Sequence, residues 1–140
     1  MRRLAIVLAL VFALAACGGS SKPKSSDDQA QITSTYEKFF SGKTSLSDRE
    51  ALLENGPKFK SVIQSFASNP LAKNVSAKVA SVTLHGANKA RVDFTIRLGG
   101  TSLPTQVGTA VRQNGTWKVG AASLCKLVAL GGTTPSACKS

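Results

Sequence analysis

Acidic side chains are scarce in this 140-residue chain, 7 Asp+Glu against 18 Lys+Arg, and histidine, tyrosine, tryptophan and methionine occur once each. With His85 the lone imidazole, a zinc site built on histidines is excluded, and a Ser-His-Asp arrangement has one possible base. There is no Gly-x-Ser-x-Gly nucleophile context, no Cys-x-x-Cys, no Gly-rich phosphate loop, no EF-hand and no His-Glu-x-x-His. No metal and no cofactor are therefore expected. The longest apolar run has 13 residues, short of the roughly 20 that a membrane-spanning helix needs. A hydrophobic content of 42% nevertheless excludes a disordered chain, and the length supports one modest core.

What the sequence does contain begins with an address. Arg2 and Arg3 precede the apolar run 4–16, which has the charge and length of a secretory signal peptide. It ends in Leu14-Ala15-Ala16-Cys17 and continues as Gly18-Gly19-Ser20-Ser21. This resembles a bacterial lipobox, which implies a diacylglyceryl group on the Cys17 sulfur and cleavage before that residue. Ordinary secretion would instead leave Cys17 an oxidation-prone free thiol. Loss of Arg2 and Arg3 lowers the net charge from +11 to +9. Acylated Cys17 is expected to hold the protein to the extracytoplasmic face of the cell membrane, since two or more acyl chains anchor stably where one does not.

Residues 17–28 have no apolar side chain beyond the cysteine and read as a lipidated flexible tether. The remainder, 29–140, reads as a single α+β domain. Ser26 and Gln29 have capping-box spacing, and Ile32, Tyr36, Phe39 and Phe40 then fall on one helical face. Ser47-Asp48-Arg49-Glu50 opens a second helix, which Asn55-Gly56 ends. Pro57 starts a third, with Phe59, Val62, Ile63 and Phe66 on one side and Pro70 as its boundary.

The period then changes to two. Val75, Ala77, Val79, Val82 and Leu84 form a first strand whose phase breaks near Ala80-Ser81, a bulge signal. Ala90, Val92, Phe94, Ile96 and Leu98 alternate with polar residues in a second. Val107, Thr109 and Val111 mark the period-two face of a third, joined through Asn114-Gly115 to Thr116–Val119 as a fourth. Residues 123–130 are consistent with a short buried helix or with the end of the last strand. With Cys17 acylated, Cys125 and Cys138 are the two remaining cysteines, and in an oxidising compartment they are expected to pair.

The first helix with Tyr36-Glu37-Lys38-Phe39-Phe40, Leu52-Leu53-Glu54-Asn55-Gly56, the strand 90–98 followed by Gly99-Gly100, Gly115-Thr116-Trp117-Lys118-Val119 and the segment 123–130 with Cys138 beyond it occur in a fixed order. Together they resemble the C-terminal domain of the low-molecular-weight secreted antigens of mycobacteria and related actinobacteria, over about residues 29–139. The resemblance implies a cone like that of nuclear transport factor 2, also described as cystatin-like, with helices inside a curved antiparallel sheet. It also implies an exported, immunogenic protein. The lipobox departs from the secreted members toward a tethered form.

Relatives of the cone fold include isomerases and dehydratases, for which Asp93, Tyr36 and His85 are the candidate polar groups here. Asp93 falls on the polar side of its strand near Arg91 and Arg97, where a solvated cross-strand charge pair is the simpler reading, and His85 stands at a turn. Tyr36, Phe39, Phe40, Phe59, Phe66, Phe94 and Trp117 read as core, or as the lining of a pocket for an apolar ligand. Arg91, Arg97, Arg112 and Lys118 are expected to share one sheet face suited to anionic headgroups or envelope polymers. The expectation is a non-enzymatic binding or accessory module at the cell envelope, with the bilayer, anionic envelope polymers or another envelope protein as partners and no nucleic acid.

Overall fold

Helix α1 runs Lys24–Phe40 and turns one apolar stripe, Ile32, Tyr36, Phe39 and Phe40, into the core. The computed structural model describes residues 24–139, so the expected signal peptide 1–16, and Cys17 with it, lie outside the described residues. The tether expected over 17–28 is corrected at its end, because 24–28 belong to α1. Ser26 therefore lies inside the helix rather than capping it. Polarity suggested solvent, but Asp28 accepts from the Trp117 indole N–H at 3.0 Å and from Arg112 Nη2 at 2.5 Å.

Helix α2, Leu46–Leu52, is capped by Ser45, whose hydroxyl accepts from the Asp48 N–H. The cap thus falls two residues before the expected Ser47. Asn55 then takes up a left-handed φ of 52°, and Pro57 enters a short 3₁₀ turn that leads into α3, Lys60–Ala67. Another 3₁₀ turn, begun by Pro70, delivers the chain to the sheet.

The sheet comprises β1 (Val75–His85), β2 (Lys89–Leu98), the short β3 (Thr101–Ser102), β4 (Gln106–Gln113) and β5 (Thr116–Val119), all antiparallel. Its spatial order is β1-β2-β4-β5, with β3 folded back on the end of β2. The β1 register shifts between Val79 and Ser81, where the phase of the sequence breaks. Asn114 and Gly115 both have positive φ in the β4–β5 turn, as a tight two-residue hairpin requires. Helix α4, Ala121–Leu130, follows at once, so the C-terminal apolar segment is helical.

Helix α1 packs against both β1 and β5, the outer strands, because the sheet curls around it. The fold is thus α+β and cone-like. The inner wall carries Val92, Phe94, Ile96, Ala110, Trp117 and Val119, all buried. Both open edges of the sheet have partners. On β1, Glu37 Oε1 accepts from the Val79 N–H at 3.2 Å and Gln29 Nε2 donates to Val82 O at 3.0 Å. On β5, Leu53 forms a parallel bridge to Val119, whose carbonyl accepts from the Glu54 N–H at 2.9 Å.

The inward face of β4 is the opposite of the expected one. Val107 is exposed, and Gly108 and Ala110 point at the core. The Tyr36 phenol occupies the space beneath Gly108: its hydroxyl donates to Thr109 O at 2.5 Å and lies 3.1 Å from Ser123 Oγ. A Cβ at position 108 would come within 2.6 Å of that hydroxyl and 2.9 Å of Ser123 Oγ. Gly108→Ala is expected to cost about 1–3 kcal/mol of stability, the usual range for overpacking, measured by urea unfolding; an unchanged midpoint would show that the Tyr36 site yields freely.

Asp28 provides a second check. Its bond from Trp117, opposed by desolvation and helped by Arg112, holds its carboxyl below the usual aspartate range. A depressed folded pKa contributes stability above the unfolded value, near 3.8, that disappears as pH falls through the folded one. Asp28→Asn should flatten the acid limb of the Tm–pH curve below about pH 4; an identical limb in both proteins would refute the latch.

Candidate functional site

The core is not filled at every point. Where α1 ends, the side chains of the three N-terminal helices diverge from α4, and an apolar cavity of about 210 Å³ opens between them. Phe39 and Phe40 come from α1, Ile63 and Phe66 from α3, Val75 and Ile96 from the sheet, and Leu124, Leu127 and Val128 from α4. The mouth carries Phe66, Leu103 and Leu130, exposed by 37%, 36% and 68%. Such exposure of large apolar groups around an opening is what a binding site leaves uncovered.

One charged side chain lines this cavity. Arg49 of α2 is only 3% exposed. Its Nη2 donates to Ser41 O at 2.6 Å and its guanidinium stands 5.4 Å from the centre of the Phe66 ring. Its buried Nε has no hydrogen-bond partner, and no carboxylate pairs with Arg49 among the described residues. Desolvation pulls its pKa downward, the signature of a cation that has lost water without gaining an anion. Sequence reasoning overlooked Arg49 because Ser-Asp-Arg-Glu reads as a solvated helix start. No helical apolar stripe announced it either, since within α2 Arg49 is the buried residue and Leu46 is exposed.

The C-terminal wall is held by a disulfide. Cys125 of α4 is bonded to Cys138 across a Cα separation of 5.6 Å. Because α4 supplies three of the cavity's lining residues and one mouth residue, the bridge restrains the cavity as well as the tail.

The other sequence candidates lie elsewhere. Asp93 is on the outer face of β2, where it accepts from Ser81 Oγ at 2.9 Å and Arg91 Nε at 3.2 Å. The Ser81 bond first, then Arg91, hold its carboxyl below the usual range. The expected charge pair therefore runs along one strand, and the cross-strand neighbour is a serine. His85 is exposed at the end of β1, opposite Lys89. Tyr36 is in the core, with burial pushing its phenol pKa up and its hydroxyl committed to Thr109 and Ser123. None of the three lines the cavity. Of the seven aromatic candidates, Phe39, Phe40 and Phe66 border the cavity, and Tyr36, Phe59, Phe94 and Trp117 are packed core.

The expected basic face is corrected too. Arg112 lies opposite Trp117 on the inner side of the hairpin, 4.8 Å from the indole ring centre and bonded to Asp28. Lys118 donates to Ala51 O at 2.8 Å. Arg91 and Arg97 remain exposed on the outer face, Arg91 paired with Asp93. Among the described residues no helix is long and apolar enough to cross a membrane.

The profile described as low molecular weight antigen MTB12, C-terminal domain, matches residues 26–135. The chain belongs to this family. Membership in the MTB12 C-terminal-domain family places the protein among secreted antigens, with an extracellular or envelope location. The match begins within α1 at Ser26 and ends before Cys138, so it covers the whole sheet and the cavity walls. No curated protein matches the chain.

Replacing Cys125 and Cys138 together by Ala is expected to cost about 3 kcal/mol, the chain-entropy value for a loop of this length, read from urea midpoints. Equal midpoints for the two proteins would mean that the bridge closes an already ordered segment.

Proposed function

We propose that this protein is a non-enzymatic binding module of the cell envelope, attached to the extracytoplasmic membrane face through acylated Cys17, with the apolar cavity as its binding element. The observation that carries the reading is the cavity itself. Cores of small domains pack to crystal-like density with few voids larger than a water molecule, yet here 210 Å³ stays open behind three exposed apolar residues. The absence of His85, Asp93 and Tyr36 from its lining favours binding over chemistry.

The placement of the anchor supports the same division of labour. Cys17 precedes the N-terminus of α1, whereas Phe39 and Phe40 at its C-terminus border the cavity. The 17 residues of α1 put its two ends about 25 Å apart. The membrane-facing and ligand-facing ends are then opposite. The envelope partner is a component offered to the cavity, and Lys89 and Arg97 on the sheet add a weaker attraction for anionic polymers.

Replacing Cys17 by Ser tests the attachment. Metabolic labelling with an alkyne fatty acid should mark the wild-type chain and not the variant, and the variant should appear in the medium or as uncleaved precursor. Unchanged labelling or unchanged membrane retention would overturn the anchor.

A further inference from the structure

We infer that the cavity takes a single-chain carboxylate amphiphile, a medium-chain fatty acid anion, with its head group on Arg49. The inference rests on the binding role proposed for the cavity and specifies its ligand. Apolar lining alone would accept any hydrocarbon. Arg49 breaks that indifference, because a guanidinium 3% exposed in an apolar wall is costly unless an anion or full hydrogen bonding compensates it. The described residues supply one backbone carbonyl, Ser41 O, and an aromatic face, Phe66, and leave the Nε–H without an acceptor. The missing partner is a hydrogen-bond acceptor carrying negative charge. A planar carboxylate matches the fork of N–H donors on one edge of a guanidinium, which favours it over a neutral alcohol or a cation.

Size limits the tail. An apolar cavity of about 150 Å³ takes a benzene ring, and on that scale the 210 Å³ here takes a tail of roughly seven carbons. That is the alkyl portion of octanoate. A longer chain would pass between Phe66, Leu103 and Leu130 at the mouth, whose exposure is otherwise unexplained. No second charged side chain lines the cavity, so a monoanion is matched and a zwitterionic head group is not.

The test uses the full chain carrying Cys17→Ser, which has no acyl group of its own, titrated calorimetrically at pH 7 with octanoate, 1-octanol and octyltrimethylammonium. Octanoate is expected to bind once per chain and at least tenfold more tightly than 1-octanol, with no binding of the cation. Adding Arg49→Met should bring octanoate down to the affinity of 1-octanol, and Arg49→Lys should restore part of the preference. Because loss of the Ser41 contact can affect folding, the Nε–H resonance of Arg49 in the chain with native Arg49 provides a second readout: octanoate should shift it and 1-octanol should not. Equal binding of octanoate and 1-octanol, or an Nε–H signal indifferent to octanoate, overturns the anion site while leaving an apolar binding cavity intact. Failure of all three compounds to bind overturns the cavity's binding role as well.

Discussion

The Tyr36 hydroxyl is the point on which the architecture turns. It lies under a strand, at the start of a C-terminal helix and inside an N-terminal one, and it joins all three through Thr109 O and Ser123 Oγ. Ser123 completes the node by accepting from the Thr109 N–H at 2.7 Å. A buried phenol without such partners would be destabilising by the desolvation of its hydroxyl. With them it selects one phase for β4 and one position for α4. Its ring also meets Phe94 edge-on at 5.1 Å and Phe40 at 6.0 Å, which carries the same constraint into the middle of the sheet and to the border of the cavity.

From that node the molecule divides into two ends of different character. Toward the N-terminus of α1, Asp28 accepts from both the Trp117 indole and Arg112 Nη2, so this guanidinium has an anion although its Nε, like that of Arg49, has no hydrogen-bond partner. Toward its C-terminus the side chains separate and leave a void with an unsatisfied guanidinium in its wall. The two arginines thus have opposite situations: Arg112, the more exposed, has its aspartate, and the buried Arg49 has none among the described residues. Evenly packed domains do not usually retain such a contrast, since a buried cation without an anion is among the least favourable arrangements a core can contain.

Much of this fold is legible from local chemistry. The alternation 90–98, the Asn114-Gly115 turn and the phase break near Ala80-Ser81 each report a geometry that only a few residues determine. What escaped depends on distant partners. The phase of β4 was misread because Val107, Thr109 and Val111 look better buried than Gly108 and Ala110, and only Tyr36, 72 positions earlier in the sequence, makes a glycine the right inward residue. Asp28 looked like tether for the same reason: its partners lie more than 80 residues away. Arg49 was hidden differently, in a motif whose ordinary meaning is a solvated helix start. The cavity was beyond local reading, since aromatic residues fill a core or border a void with the same sequence pattern.

An open strand edge is a template on which another chain can add a strand, and a long β1 of 11 residues would be a generous one. Gln29 and Glu37 occupy backbone groups along it, the Val79–Ser81 bulge bends it, and Leu53–Glu54 covers the opposite margin at Val119. A protein exported to high local concentration meets copies of itself often. Closed margins let such molecules crowd together while remaining separate.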